Sequence, residues 1–453
     1  MLDPVECGPA LTVAHLRTLV DARLSCVPRL RQRLAPTPLG LASPIWVDDP
    51  QFDVAEQVRA VAIDAAAGPD EPIDRGHLRS IVARVMSERL DPARPLWRID
   101  VVEHLEGGGA ALVIRLHHCM ADGHASVQIL SALLLDAEPE PGPGPGPALE
   151  REPDAIAPWA PTPAPGAARL LALAARDRLA GAVAGTARAG GSLVTPGSWL
   201  AAGRTAARVP ATLRREFARS QTASPLATAI GDERTVAFAS VSLVEAKRIE
   251  TAFGEGVTVN DVVLTAVAGG LRRWLAHSGA GVADFRVKVP VSLHGRNGVS
   301  DALANRDSLM FVDLPLVEND PVRRLLAISA ETRARKRDHD AETLDALFRD
   351  LAHVSGRLER MAQRWAMSPR VFALSVSNVP GPPEPRFVAG RRLRELYSLA
   401  EVASRHALRA SVISADGTLF FGLCADAAAV VDLDLVASGI EDELAALLDR
   451  AGV

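Results

Sequence analysis

Residues 110–135 read AALVIRLHHCMADGHASVQILSALLL, and their pattern decides how the surrounding chain is organised. Residues 110–116 (AALVIRL) form a short aliphatic run of the kind a buried strand needs. Residues 124–135 (HASVQILSALLL) carry apolar side chains at helical spacing. Between them His117-His118-Cys119-Met120-Ala121-Asp122-Gly123 makes a strand-to-helix loop. Loops held by a rigid α/β scaffold are where reactive groups tend to be presented.

Upstream, residues 96–103 (LWRIDVVE) are a second strand candidate, and Gly107-Gly108-Gly109 reads as the hairpin turn joining the two strands. Residues 11–34 and 76–88 carry helical spacing. Downstream, residues 139–166 are half Pro or Gly. That excludes a helix interior or central strand and predicts an extended linker. An Ala/Leu/Arg helix is expected over 167–190, packed on the core or lying on a membrane or partner. The strongest helix signal is 257–277, where Val259, Val263, Val267, Leu271 and Trp274 share one face. Thr258 is its natural N-cap and Asp261 stands in its first turn. An alternating strand follows, with Phe285, Val287, Val289, Val291 and Leu293 on one face and Arg286, Lys288 and Ser292 on the other. Residues 308–316, 371–378 and 417–424 read as strands, and 319–337 and 341–366 as helices. A turn is expected from Asn378 to Pro383. The pattern is two α/β lobes of unequal length.

A chain of 453 residues, 48% apolar and 23% charged, is globular and long enough for two or more domains. Its net charge of −5 argues against a dedicated nucleic-acid binder, although Arg323, Arg324, Arg333, Arg335, Lys336 and Arg337 could gather into a basic patch. Cys7, Cys26, Cys119 and Cys424 are too scattered for a disulfide framework, and a reducing cytoplasm is the simplest setting. The opening residues MLDPVECGPA lack the basic and apolar regions of a secretory signal. No uncharged apolar run reaches about 18 residues, so no transmembrane helix is expected.

Adjacent histidines followed by an aspartate and a glycine suit a reaction that takes a hydroxyl proton as the oxygen attacks. Acyl transfer from a thioester to an alcohol is such a reaction. An imidazole of ordinary pKa, about 6.5, is neutral and basic at cell pH. Such a base contributes roughly 10²- to 10⁴-fold. Asp122 could hold the loop through an arginine or orient the imidazole, and Gly123 could permit a turn geometry or a close backbone approach. A metal site and an ordinary loop remain open on local chemistry alone. Metal is disfavoured because neighbouring strand residues point oppositely, and no third ligand accompanies His117 and His124. There is no Gly-x-Ser-x-Gly elbow and no Walker A loop.

His117-His118-x-x-x-Asp122-Gly123 resembles the active-site motif shared by chloramphenicol acetyltransferase relatives, peptide-synthetase condensation domains and polyketide-associated acyltransferases. Four further segments narrow the resemblance to the bacterial wax ester synthase/diacylglycerol acyltransferase family. They are Leu90-Asp91-x-x-Arg94-Pro95-Leu96-Trp97, Asn260-Asp261-Val262-Val263-Leu264, Val289-Pro290-Val291-Ser292-Leu293 and Ser377-Asn378-Val379-Pro380-Gly381-Pro382. Their order and spacing fit that family from about residue 20 to residue 445.

The resemblance implies an α/β (α+β) fold of two chloramphenicol acetyltransferase-like lobes, each a mixed sheet flanked by helices, with a substrate tunnel between them. The lobes would span 1–138 and 226–453, joined by a linker and crossover helices over 139–225. It implies an acyl-CoA-dependent O-acyltransferase making wax ester or triacylglycerol from a fatty alcohol or diacylglycerol, with no covalent enzyme intermediate, cofactor or metal. His118 would be the general base, His117 supportive and Asp122 structural. Gly123, Asn260, Asp261, Pro95, Leu96, Trp97 and Asn378 would support the site or position substrate, although Asn-Asp at a helix start is also ordinary end chemistry. Such apolar substrates imply a cytoplasmic enzyme held peripherally at the membrane or at lipid bodies, with no nucleic-acid partner. The chain departs from the family in two places. Only 26 residues precede Val27-Pro28-Arg29-Leu30-Arg31, where a longer N-terminal segment is usual. His294 stands where the family often has arginine, with Arg296 two residues on, so the arginine partner of Asp122 is unassigned. Two rival readings are an acyltransferase for a natural product or polyketide lipid and an inactive lipid-binding protein of the same fold.

Overall fold

The computed structural model describes residues 1–3, 11–38, 44–61, 72–137, 159–173, 175–176, 210, 212, 214, 224–292, 307–338, 343–344, 347 and 356–452. The chain forms two compact units, one from residues 1–177, 298–305 and 380–396, the other from 178–297, 306–379 and 397–453. Most of the Pro/Gly tract, Leu293, His294 and Arg296 lie outside the described residues. Of the helix expected over 167–190, residues 167–173, 175 and 176 are described and helical.

In the first unit, helix α1 (Val13–Arg23) begins where the Thr12 hydroxyl accepts from His15 N at 3.3 Å. It ends well short of residue 34. Leu24–Cys26 and Pro28–Arg31 are 3-10 turns and Gln32–Ala35 is strand β1, because Pro28 has no N–H with which to continue a helix. Strand β1 pairs antiparallel with β2 (Ile45–Asp48). A separate three-stranded sheet sets β3 (Val58–Ala60) parallel to β4 (Trp97–Val102), which is antiparallel to β5 (Ala111–Leu116). The β4–β5 connection turns on Gly107 and Gly108, whose φ of 82° and 83° a side chain would resist. Helix α2 (Arg75–Ser87) buries Leu78, Ile81, Val82 and Val85. Helix α3 (Gly123–Leu134) packs Ala125, Ile129, Leu133 and Leu134 into one core with Leu16, Leu19 and Val20 of α1.

This unit also buries charge. Asp100 Oδ2 accepts from Arg115 Nη2 at 3.0 Å and from Arg98 Nε at 3.1 Å. Arg115 donates further to the Val85 carbonyl at 2.9 Å and to Glu88 at 3.3 Å, and Glu88 closes the ring by pairing with Arg98. Burial pushes the Asp100 carboxyl above the usual carboxylate range against the pull of Arg98. The cluster ties the end of α2 to the strand pair that leads into His117. Removing one partner would leave an uncompensated buried charge, at a cost of about 3–5 kcal/mol.

The second unit is built on a six-stranded mixed sheet in the order β6-β11-β10-β9-β7-β8. Its strands are β6 (Arg234–Ser242), β7 (Phe285–Ser292), β8 (Asp307–Leu314), β9 (Leu374–Pro380), β10 (Leu408–Ala415) and β11 (Thr418–Asp426). The helices are α4 (Leu243–Ala252), α5 (Val259–Ser278), α6 (Pro321–Asp338), α7 (Gly356–Ala366) and α8 (Asp434–Ala451). Helix α5 is buried nearly all round from Asp261 to Leu271. It meets α8 backbone to backbone: a Cβ on Gly439 would lie 2.8 Å from Gly270 Cα, and one on Gly270 would collide with the Val436 carbonyl oxygen. Strand β7 carries Pro290 inside the sheet. Its parallel ladder with β9 spans only Val287↔Leu374 and Lys288↔Ser375, so it has ended before the residue that lacks an N–H.

One expectation fails in this unit and another is narrowed. Asn378 and Val379 lie within β9, not in a turn. The basic patch considered for α6 loses two of its six members, while Arg323, Arg333, Lys336 and Arg337 are exposed. Arg324 is 1% exposed and paired with Glu443, and Arg335 is 4% exposed and holds Glu331 at 2.6 Å. Helical periodicity puts these positions on the inner face, where the cations are retained only because carboxylates reach them. Among the described residues, no helix is long and apolar enough to cross a membrane.

Candidate active site

The histidine loop leaves β5 as a continuation of its ladder. Trp97↔Leu116 is the last strand pair, and His117 N donates to the Leu96 carbonyl at 2.9 Å. A tight turn follows, with Met120 N donating to the His117 carbonyl at 2.8 Å. Cys119 N donates to His117 Nδ1 at 3.2 Å, so the proton of a neutral His117 ring sits on Nε2. His118, the next residue, is exposed at the turn. Met120, Ala121 and Asp122 then plunge into the core.

Asp122 is the N-cap of α3. Its Oδ1 accepts from Ala125 N at 2.8 Å and its side chain is 3% exposed. Oδ2 is buried with no hydrogen-bond partner among the described residues. The arginine expected to hold Asp122 is therefore not among those residues, and the carboxylate's visible task is to start a helix. Gly123 is the first residue of α3 and is not among the glycines with positive φ. The loop does not use it for a left-handed turn.

The Pro95-Leu96-Trp97 segment supports the loop by packing. All three residues are buried. The Leu96 carbonyl holds His117, and Trp97 Nε1 donates to the Leu30 carbonyl at 2.7 Å, pinning the 3-10 turn of residues 28–31 against β4. Asp91 accepts from Ala93 N at 2.9 Å, and Arg94 reaches the buried Asp49 at 3.5 Å and the Gln51 carbonyl at 3.1 Å. Leu90-Asp91-x-x-Arg94-Pro95-Leu96-Trp97 thus works as a brace between the N-terminal turn and the histidine strand.

One residue to which the sequence reading gave no role, Arg29 of the Val27–Arg31 segment, lies near this loop. Arg29 lies over the Trp46 ring at 4.7 Å and is close enough to Cys119 for the two to interact electrostatically. Burial lowers its pKa, and its Nη1 is buried without a hydrogen-bond partner among the described residues. No local sequence signal assigns it this place, because the electrostatic influence joins positions 90 residues apart.

Asn260, Asp261 and Asn378 belong to the second unit. Asp261 is fully buried: Oδ2 accepts from Thr258 N and Oγ1, each at 2.9 Å, and Oδ1 accepts from Thr332 Oγ1 at 2.7 Å. It is the second half of a capping box and a tie between α5 and α6. Asn260 is half-buried in the first turn of α5, and Asn378 is half-buried near the end of β9. Among the described residues no group of three or more His, Cys, Asp or Glu could hold a metal ion. His124 faces Gln128 at 3.1 Å.

A wax ester synthase/diacylglycerol acyltransferase catalytic domain matches residues 1–263, and the C-terminal domain of the same family matches residues 303–448. A putative diacylglycerol O-acyltransferase of Mycobacterium tuberculosis H37Rv is 32% identical over 445 residues, covering 95% of this chain and 88% of the relative. A probable diacylglycerol O-acyltransferase of the same strain is 30% identical over 451 residues, covering 97% and 89%. Among solved structures, a wax ester synthase/diacylglycerol acyltransferase from Marinobacter aquaeolei VT8 aligns with a TM-score of 0.64 at 22% identity, covering 100% of this chain and 93% of that one. The first condensation domain of the calcium-dependent antibiotic synthetase aligns with a TM-score of 0.56 at 15% identity, covering 99% and 90%. These two likenesses show the fold, that of two chloramphenicol acetyltransferase-like lobes.

Proposed function

The chain belongs to the wax ester synthase/diacylglycerol acyltransferase family and transfers acyl groups from acyl-CoA to diacylglycerol or a fatty alcohol, and on that premise we propose that His118 is the general base of the transfer. The observation that carries this reading is the tethering of the loop at both ends. His117 N is bonded to Leu96 on one side of His118, and Asp122 caps α3 on the other, which leaves an exposed imidazole on a braced turn. His117, with Nδ1 engaged by Cys119 N, is part of the brace.

The imidazole of His118 takes the acceptor hydroxyl proton as the oxygen bonds to the thioester carbonyl carbon. The tetrahedral adduct collapses by breaking the C–S bond. The CoA thiolate leaves with the proton returned by the imidazolium, so ester and free thiol form and the enzyme is regenerated without a covalent intermediate. Residues 1–138 and 226–453 serve as the two acyltransferase lobes, joined over 139–225, with 380–396 of the second stretch contributed to the first unit. Asn260 positions substrate from the start of α5. The enzyme works at the cytoplasmic face of the membrane or at lipid bodies, held there peripherally, because its acceptor resides in a lipid phase.

The test is CoA thiol release from palmitoyl-CoA with hexadecanol or dioleoylglycerol as acceptor. His118→Ala is expected to lose roughly 10²- to 10⁴-fold in kcat with an unchanged melting curve. Full activity in a folded His118→Ala protein refutes the assignment.

A further inference from the structure

Helix α7 presents its apolar side outward. Met361 is 64% exposed and Trp365, one turn on, is 52% exposed; Met367 just beyond the helix is 36% exposed. The other exposed large apolar residues of this unit, such as Val244 and Val431, are not grouped with an aromatic in this way. Arg360 and Arg364 form the adjacent stripe of the same helix, and Arg370 follows. All three are exposed, and none is in an ion pair among the described residues. Residues 359–370 carry three arginines against the one acidic residue, Glu359.

The segment is also held so that it cannot simply roll this face inward. Ala366 is 2% exposed, and Val371 and Phe372 are buried with Phe311 and Leu344 in a small core of their own. The His406 ring stacks on Phe372 at 4.1 Å and lies between the carbonyl oxygens of Met367, at 3.0 Å, and Ala373, at 3.2 Å. The C-terminal end of α7 is therefore fastened to the sheet while Met361 and Trp365 remain more than half exposed.

We propose that the Met361/Trp365 face of α7, with Arg360, Arg364 and Arg370 beside it, is the surface by which this enzyme docks on an anionic phospholipid layer. An exposed apolar stripe flanked by cations suits the boundary of acyl chains and headgroups, and a tryptophan is the side chain best matched to it. The excess of arginine along this segment decides between lipid surfaces: it is complementary to anionic headgroups and indifferent to zwitterionic ones. The inference rests on the peripheral membrane attachment proposed above and assigns it a place and a lipid charge class.

The experiment is flotation of the full chain with phosphatidylcholine vesicles, alone or with phosphatidylglycerol as about a third of the lipid. Wild type should float with the anionic vesicles and scarcely with the neutral ones. Each arginine brought to an anionic surface is worth about fivefold in partitioning, so Arg360→Gln/Arg364→Gln should bind about 25-fold more weakly. Met361→Ser/Trp365→Ser should lose flotation as well. Both variants change exposed positions, so their melting curves and their thiol release with detergent-dispersed acceptor should match wild type. If wild type floats and both variants float equally well, this surface is wrong while membrane attachment stands. If wild type floats with neither vesicle, attachment itself fails and the docking surface with it. A sedimentation change showing that the variants have lost self-association would make this face a contact between copies and would overturn the proposal.

Discussion

Replacing Asp122 by alanine and by serine separates two jobs that its carboxylate could perform. Oδ1 caps α3 through Ala125 N, while Oδ2 is buried without a hydrogen-bond partner among the described residues. The cap is worth about 1 kcal/mol, within a range of 0.5–2. The negative charge at the positive end of α3 adds about 0.3–1 kcal/mol. Against these stands the desolvation of Oδ2, which costs about 1–3 kcal/mol. Both substitutions remove Oδ2 and the charge, but serine keeps a cap acceptor and alanine does not. Asp122→Ser should therefore exceed Asp122→Ala by about 1 kcal/mol, a difference of roughly 2 °C in melting temperature or a resolvable shift in urea midpoint. Because α3 starts where the loop ends, thiol release should rank the same way, with alanine the poorer enzyme. If the two variants melt together and are equally inactive, the cap is not what matters. Asp122 would then act through its charge, and the account of a helix-started loop would be wrong.

Two further outcomes follow from the second unit. Gly270→Ala places a methyl against the Val436 carbonyl at the crossing of α5 and α8, and overpacking of this kind costs about 1–3 kcal/mol, measurable by denaturant midpoint. Lys288 has its pKa lowered from 10.5 to about 8, chiefly by burial and secondarily by Arg409, so between about pH 8 and 10.5 the unfolded chain binds a proton that the folded one does not. Stability due to this group should accordingly rise through that window. Lys288→Met should be the more stable protein at pH 7 by about 1–3 kcal/mol, with the gap closing as pH rises; an advantage that persisted unchanged at pH 10.5 would refute the burial cost.

Much of the local architecture was legible in the chain. The strand before His117 and the helix after Asp122 follow from a short aliphatic run and helical spacing. The start of α5 follows from Thr258 and Asp261, which sit three residues apart and satisfy each other's neighbours. Errors arose where a local signal was overridden or misjudged. The helix predicted over 11–34 stops at Arg23 because Pro28 outweighs the apolar spacing around it. The turn expected at Asn378 is strand because pairing in the large sheet carries the chain through to Pro380. Strands β6 and β10 and helices α4 and α8 were not foreseen; β6 and β10 gain their stability from partners elsewhere in the sheet, to which a sequence window is blind.

By itself the sequence determined the order of the elements around the histidine loop, the caps that start its helices, and the motif that places the chain in its family. These depend on interactions within a few residues. Tertiary structure decided what the charged and polar side chains do. It turned Arg115 and Asp100 into an internal tie, Arg324 into a buried partner of Glu443 and Asp261 into a strut to Thr332. It also set Arg29 near the histidine loop and left Met361 and Trp365 of α7 more than half exposed. A charge or an apolar face looks the same in sequence whether buried or exposed. Only distant residues folding against it, or failing to, settle which it is.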